Sequence, residues 1–355
     1  MPTIGGRTTT GPAGGVASGT NSSNVSQRED LANFISLITR DETPFLSSIG
    51  KSKATAIFHE WQTDELAAPG NSKLVDGANY EQPGAGGSEG GAAYNPVGPF
   101  RTRLGNYTQI NGKTIAVSGT RRAVDQAGVA DEYAYQLKKR GTELRRDVEH
   151  DLVNGYQVAS GSGTRTMGGY QSFVNNSTTC TYASGTALTT TASKGTAVPT
   201  LLADSSRVAL SLTDIDGTMQ KIYEQGGKAT KIMLSPKLRR DFSDLMVSDT
   251  GVVRNIDENG KLRQSVDIYM SDFGDLMVVP NYIMGLQTGT AGTANDFSDS
   301  CALVYDPQWF AIATLRPLAE VDVGQKGDST VGMLVEETTL EVKNPLGCGA
   351  IYGLK

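Results

Sequence analysis

Polar and apolar positions fall into extended runs before residue 120 and mostly into helical stripes beyond it. Lys53 to Leu66 and Arg103 to Thr120 are polar stretches with single apolar residues spaced through them, which predicts two extended arms. At roughly 3.3 Å per residue, an arm of about thirteen residues spans on the order of 40 Å. Between the arms, Gln82 to Pro99 is crowded with glycine and carries Pro83, Pro96 and Pro99, so it reads as the tip of a hairpin and not as a core element. A two-stranded ribbon this polar has no core of its own and needs a neighbouring surface, most economically one from another subunit. Asn111-Gly112 suits a tight turn, yet Thr108 to Val117 alternates through it, which predicts one strand with a kink or bulge there.

Helical stripes mark the remainder. Ser26 and Glu29 form a capping box ahead of Leu31, Phe34, Ile35 and Ile38, and Thr43-Pro44-Phe45 ends that short helix. Asp131 caps a helix running to Asn154, with Ala134, Leu137, Leu144, Val148 and Leu152 on one stripe and Gly155 as the stop. At 1.5 Å per residue it is about 36 Å long, a spine for its domain. Its other faces carry charge, and pairs such as Lys139 with Glu143 and Arg145 with Glu149 predict a solvated surface. Residues 160 to 200 are rich in Gly, Ser, Thr and Ala and read as surface loops and short strands. A compact α/β module follows. Leu212-Thr213 with Asp216 opens a helix closed by Gly226-Gly227, Lys231 to Leu234 is a buried strand, and Ser235-Pro236 starts a second helix. Val266 to Met270 and Leu276 to Val279 flank a hairpin turn at Asp272-Phe273-Gly274, and Cys301 to Tyr305 and Val331 to Val342 supply further strands.

Composition narrows the function. The chain has 355 residues, 38% of them hydrophobic and 42 of them glycine, enough for more than one domain with long loops. A formal net charge of -6 argues against a dedicated nucleic-acid binder. Cys180, Cys301 and Cys348 lie far apart without CxxC spacing and read as reduced thiols. Neither a run of eighteen apolar residues nor an apolar leader is present, which predicts no membrane association, and the first twenty-five residues read as a flexible arm.

Catalytic patterns are incomplete throughout. His59 and His150 each lack a partner at metal-ligand spacing. Gly50-Lys51-Ser52 and Gly112-Lys113-Thr114 imitate the end of a phosphate loop, but Phe45 and Tyr107 stand where its first glycine belongs. Asn255, Asp257, Asn259 and Gly260 copy the opening of a calcium loop that Val266 cannot close. Neither a nucleophile elbow nor a carboxylate pair can be named, so the expectation is a structural protein without cofactor or metal. A soluble hydrolase using a scattered carboxylate is a rival reading.

Several words in the chain are distinctive. Thr43-Pro44-Phe45-Leu46-Ser47-Ser48-Ile49-Gly50 is followed by His59-Glu60-Trp61-Gln62-Thr63-Asp64 and by Gly105-Asn106-Tyr107-Thr108-Gln109-Ile110. Val117 to Thr120, Ala134 to Leu137, Asp272 to Gly274, Val278 to Asn281, Tyr305 to Pro307 and Leu315 to Pro317 extend the series. From about Ser26 to the C terminus these closely resemble the major head proteins of tailed bacteriophages related to the SU-ten type. The resemblance implies an α+β fold, that of the Hong Kong ninety-seven phage capsid. It implies an N-terminal arm with a short helix over 1–50 and an extended loop over 51–120 with its tip at 82–99. A peripheral domain follows over 121–165 and 306–355 with the spine helix at 131–154, and an axial domain over 166–305. The implied function is a major capsid protein that self-assembles, as hexamers and pentamers, into the icosahedral head of a virion.

Further expectations concern partners. Portal, decoration or minor capsid proteins are implied, as is weak non-specific contact with packaged double-stranded DNA, with assembly in the bacterial host cytoplasm. A bacterial nanocompartment shell of the same fold is the alternative. The extended loop implies inter-subunit contacts through Phe58, His59, Glu60, Trp61, Gln62, Asp64, Arg101, Arg103, Tyr107 and Gln109. Lys73 lies in the region where some proteins of this fold form a covalent cross-link, but no motif accompanies it.

Overall fold

A computed structural model describes residues 39–64, 66, 101–124, 128–158, 164–183, 195, 206–249, 267–285 and 300–355. The helix expected at 26–38, the tip at 82–99, Lys73 and the calcium-like loop at 255–266 lie outside these residues. The chain forms α1 (Pro44–Ser48), β1 (Gly50–Lys53), β2 (Phe58–Thr63), β3 (Thr102–Tyr107) and β4 (Gln109–Ser118). Then come α2 (Gly119–Ala123), α3 (Glu132–Asn154), α4 (Tyr170–Phe173), β5 (Thr181–Tyr182), α5 (Leu212–Glu224), β6 (Lys231–Leu234) and α6 (Pro236–Asp249). Strands β7 (Ile268–Ser271), β8 (Gly274–Pro280), β9 (Ala302–Tyr305), β10 (Phe310–Lys326), β11 (Ser329–Val342) and β12 (Gly349–Tyr352) complete the chain.

Among the described residues, these strands form two sheets and one ribbon. The four-stranded sheet has the order β1-β10-β11-β4, and β1 joins it in parallel while the other pairs are antiparallel. Ile115, Val117 and Leu334 from this sheet close on Leu144 of α3, with Tyr133 and Leu137 packed against them. Spine helix α3 begins as its sequence predicts, with the Asp131 carboxylate accepting the Tyr133 N–H at 3.1 Å. The six-stranded sheet has the order β5-β12-β9-β6-β8-β7. Helices α5 and α6 bury Ile215, Met219, Ile222, Leu238 and Phe242 in the same cluster as its Ile232, Leu276, Val278 and Val304. Helix α5 is capped two residues earlier than the pair Thr213 and Asp216 suggested, because the Ser211 hydroxyl accepts the Asp214 N–H. It stops where Gly226 takes φ +76, a conformation that costs glycine little.

A third cluster joins the sheets. Phe45 of α1 packs its ring against Tyr170, Tyr305 and Phe310 at 6.0, 5.4 and 5.5 Å. The Tyr170 hydroxyl lies 3.0 Å from the Val304 carbonyl and 2.8 Å from that of Gly349, tying α4 to β9 and β12.

Three expectations need correction. Residues 167–176 are not a surface loop: they are buried, and their polar side chains survive there by hydrogen bonding, as when Gln171 donates to Asn154 at 2.9 Å. Glu149 is not on the solvated face of α3 but fully buried, and Glu143 pairs with Arg140 instead of Lys139. Asn111-Gly112 produces no bulge, since the β4 register runs without interruption from Asn111 opposite Glu336 to Gly112 opposite Val335. In the strand pairing, β11 belongs to the four-stranded sheet, whereas β12 sits between β5 and β9 in the other.

Candidate assembly surfaces

The two arms divide into an anchored base and an outward ribbon. Strands β2 and β3 pair antiparallel from Phe58 opposite Tyr107 to Thr63 opposite Thr102, forming a separate two-stranded sheet. Strand β4, the second half of the second arm, is instead an integral strand of the four-stranded sheet. The chain changes role at Thr108.

Asn106 fixes the base. Its fully buried amide donates to the carbonyls of Gly168 at 2.9 Å and Leu340 at 2.8 Å and accepts the Gly168 N–H at 2.8 Å. Glu337, also buried, accepts from Thr108 at 2.8 Å, Arg165 at 2.8 Å and Arg316 at 2.8 Å. Two cations and a hydroxyl on one carboxylate satisfy a charge that burial would otherwise penalise. The ribbon lies on the body through Trp61, whose indole N–H donates to the Val342 carbonyl at 2.7 Å and whose ring is 5.9 Å from that of Phe173. His59 Nε2 stands 3.4 Å from Glu341, which also accepts the Ser52 hydroxyl at 2.8 Å. Gly105 makes room for the Phe58 ring, because a Cβ there would lie 2.5 Å from it and force it to move.

The expected contact residues therefore separate by face. Phe58, His59, Trp61, Tyr107 and Gln109 are half-buried and have partners within the chain. Gln109 donates to Asp151 at 2.5 Å and accepts the Met167 N–H at 3.0 Å. Glu60, Gln62, Asp64, Arg101 and Arg103 are exposed, with Arg101 3.4 Å from Asp64 and Arg103 3.8 Å from Glu60. Exposed pairs of this kind contribute about 0 to 1 kcal/mol each, so these side chains remain available to other partners.

A second outward element was not anticipated from the sequence. Strand β10 begins buried at Phe310 to Ala313 and becomes exposed from Arg316 to Val323. It turns into β11 through Gly327-Asp328, with Lys326 opposite Ser329 and Gly327 at φ +65. The alternation of Val321 and Val323 before that turn and Val331 and Met333 after it was the available signal. Arg316-Pro317 obscured it, and the register is indeed shifted between Thr314 and Ala319. Tyr133 of α3 supports the hairpin by donating its hydroxyl to Glu320 at 2.6 Å, a bond that pushes the Tyr133 pKa up to about 12. Gly332 leaves the space that Tyr133 occupies.

Between β4 and α3 lies a cleft of about 620 Å³ lined by Lys113, Asp147, His150 and Asp151 among others. Two pairs of its polar groups meet within it, Lys113 on Asp147 at 2.5 Å and His150 beside Asp151 at 3.3 Å. Among the described residues, no group of three or more His, Cys, Asp or Glu is placed to hold a metal ion. Cys180, Cys301 and Cys348 are buried free thiols, and burial pushes the Cys180 and Cys348 pKa values up, the opposite of nucleophile activation.

Comparison with known proteins agrees with this architecture. The family described as SU10 major capsid protein matches residues 14–355. A major capsid protein of Escherichia phage Phieco32 is 34% identical over 125 residues, 35% of this chain and 32% of that protein, so the match spans about a third of its length. Among solved structures, the cyanophage A-1(L) capsid subunit superposes with a TM-score of 0.63 at 12% identity, over 92% of this chain and 97% of that one. The subunit of the mature capsid of bacteriophage PhiM1 gives 0.55 at 10% identity, over 94% of each chain. The shared fold is the α+β capsid fold expected from the sequence words.

Proposed function

Because the chain belongs to the SU10 major capsid protein family, we propose that its copies assemble as hexamers and pentamers into the icosahedral head of a tailed double-stranded DNA phage, strapped together by the β2–β3 ribbon. The observation that carries the mechanism is the asymmetry of that ribbon. Its inner face is locked onto its own subunit by Asn106 and Trp61, while Glu60, Gln62, Asp64, Arg101 and Arg103 point outward. An arm rigid at its base and polar at its surface loses little entropy on docking, and many such contacts add up across a shell. Assembly, not turnover, is the activity.

The remaining partners follow from this reading. A net charge of -6 suits a container whose wall grips packaged DNA weakly, through exposed cations such as Lys138, Lys139 and Arg145 on α3. A portal and decoration or minor proteins join the shell, which forms in the host cytoplasm. A nanocompartment shell shares the fold, but the family match across 14–355 favours the phage head. Deleting Lys73 to Arg101 tests the strap: both sheets should still fold, while assembly is weakened or misdirected. Closed shells of wild-type size and yield from the deleted protein would overturn the strap role.

A further inference from the structure

The most conspicuous unpartnered element is the outer edge of β10. Strand β1 pairs with β10 only from Ala311 to Thr314, and past that point no described strand lies on this side. An open edge of this length presents a row of main-chain N–H and C=O groups and is a template for another strand. It also exposes apolar side chains: Leu318 is 41%, Val321 48% and Val323 45% accessible. Tyr133 and the paired β11 hold it extended from behind.

Charge selects the occupant. Glu320 and Asp322 are exposed and two residues apart on this edge. Arg101 and Arg103 are exposed and two residues apart at the outer end of β3, whose far edge is also open among the described residues. Two copies of β10 pairing antiparallel about Val321 would instead set Glu320 against Asp322 and Arg316 against Lys326, like charges directly opposite. Pairing β10 with β3 sets acid against base at both positions. It joins two different surfaces of the subunit, the heterologous contact that rings and shells require.

We propose that the free edge of β10 receives the β3 edge of a second copy of this chain, antiparallel, with Glu320 facing Arg103 and Asp322 facing Arg101. This rests on the ribbon being an inter-subunit strap and names the surface it docks on. Within each subunit, the Arg101–Asp64 and Arg103–Glu60 pairs are exchanged for the intermolecular ones.

Charge exchange on the full-length protein tests it. R101E/R103E and E320R/D322R should each raise the concentration needed for assembly by about tenfold or more, whereas the quadruple variant should return it to about the wild-type value. Because Glu320 also accepts from Tyr133, R101E/D322R provides a milder pair that leaves that bond intact, and it should assemble better than D322R alone. A second measurement is independent of charge: T102C/V321C, oxidised after assembly, should give covalent ladders of subunits. Wild-type assembly by both double variants, no recovery in the quadruple, or no ladder from assembled T102C/V321C would overturn the proposal. Failure of the wild-type protein itself to assemble would instead count against the capsid reading on which it rests.

Discussion

Glu149 sits where the spine helix meets the start of the described chain, and its donors are amides, not cations. It accepts the backbone N–H groups of Phe45 at 2.9 Å and Leu46 at 2.7 Å and the Asn281 amide at 2.8 Å. Burial raises its pKa, and these three bonds offset the rise only in part. The folded state then holds a proton more readily than the unfolded one. Its contribution to stability is therefore full below the unfolded pKa and falls as pH rises through the folded value. Glu149→Gln should flatten that part of the pH profile of unfolding. It should also lower stability at neutral pH by about 1 to 3 kcal/mol, because Phe45 and Leu46 donate to different carboxylate oxygens and glutamine replaces one of them with an NH2 donor. Urea unfolding of the unassembled subunit at acidic and at slightly alkaline pH reads both effects. An unchanged slope would refute the titration argument. Asn106→Ala should cost about 3 kcal/mol by leaving buried backbone groups of Gly168 and Leu340 unpaired, measured in the same way. Neither role was legible in the sequence. A glutamate on a charged helix reads as solvated, and an asparagine in an extended polar arm reads as an outward residue, until tertiary contacts supply their partners.

At the scale of elements, the helices were the most legible part of the chain. Asp131 caps α3 as its chemistry requires, while Gly155 ends it at φ -57 and is needed for the close approach of the Met167 carbonyl, not for a left-handed turn; the stripes of α5 and α6 face the core they predict. Strands with clean alternation or an apolar run, such as β6, β9 and β11, were equally plain. What escaped was decided elsewhere. The outward half of β10 alternates exposed Val321 and Val323 with Glu320 and Asp322, but Pro317 and the register shifts beside it interrupt the pattern. Strand β12 is four residues that depend on β9 for their meaning. The ribbon was legible as extended and as needing a surface, but which part of that surface is its own subunit depended on Trp61 and Asn106. Trp61→Ala should therefore loosen the ribbon locally: amide exchange should speed up over β2 and β3 while α3 stays protected. Equal acceleration in α3 would show that the ribbon and the body unfold as one unit.

As a whole molecule, the chain is a member of a capsid-protein family, and the proposed strap requires that its body fold alone and its ribbon reach its neighbours. The two sheets share the cluster around Phe45, Tyr170 and Phe310, so the body has a continuous interior without any partner. The proposed docking through the exposed charges of the ribbon and of β10 predicts that assembly responds to salt more steeply than subunit stability does. Light scattering across a salt series, set beside the melting temperature of the subunit, checks this. Electron microscopy of the purified wild-type protein, concentrated from dilute subunit, tests the account most directly. Uniform closed shells, or the hexamers and pentamers that build them, are the predicted result. A monomer that persists at high concentration would contradict it.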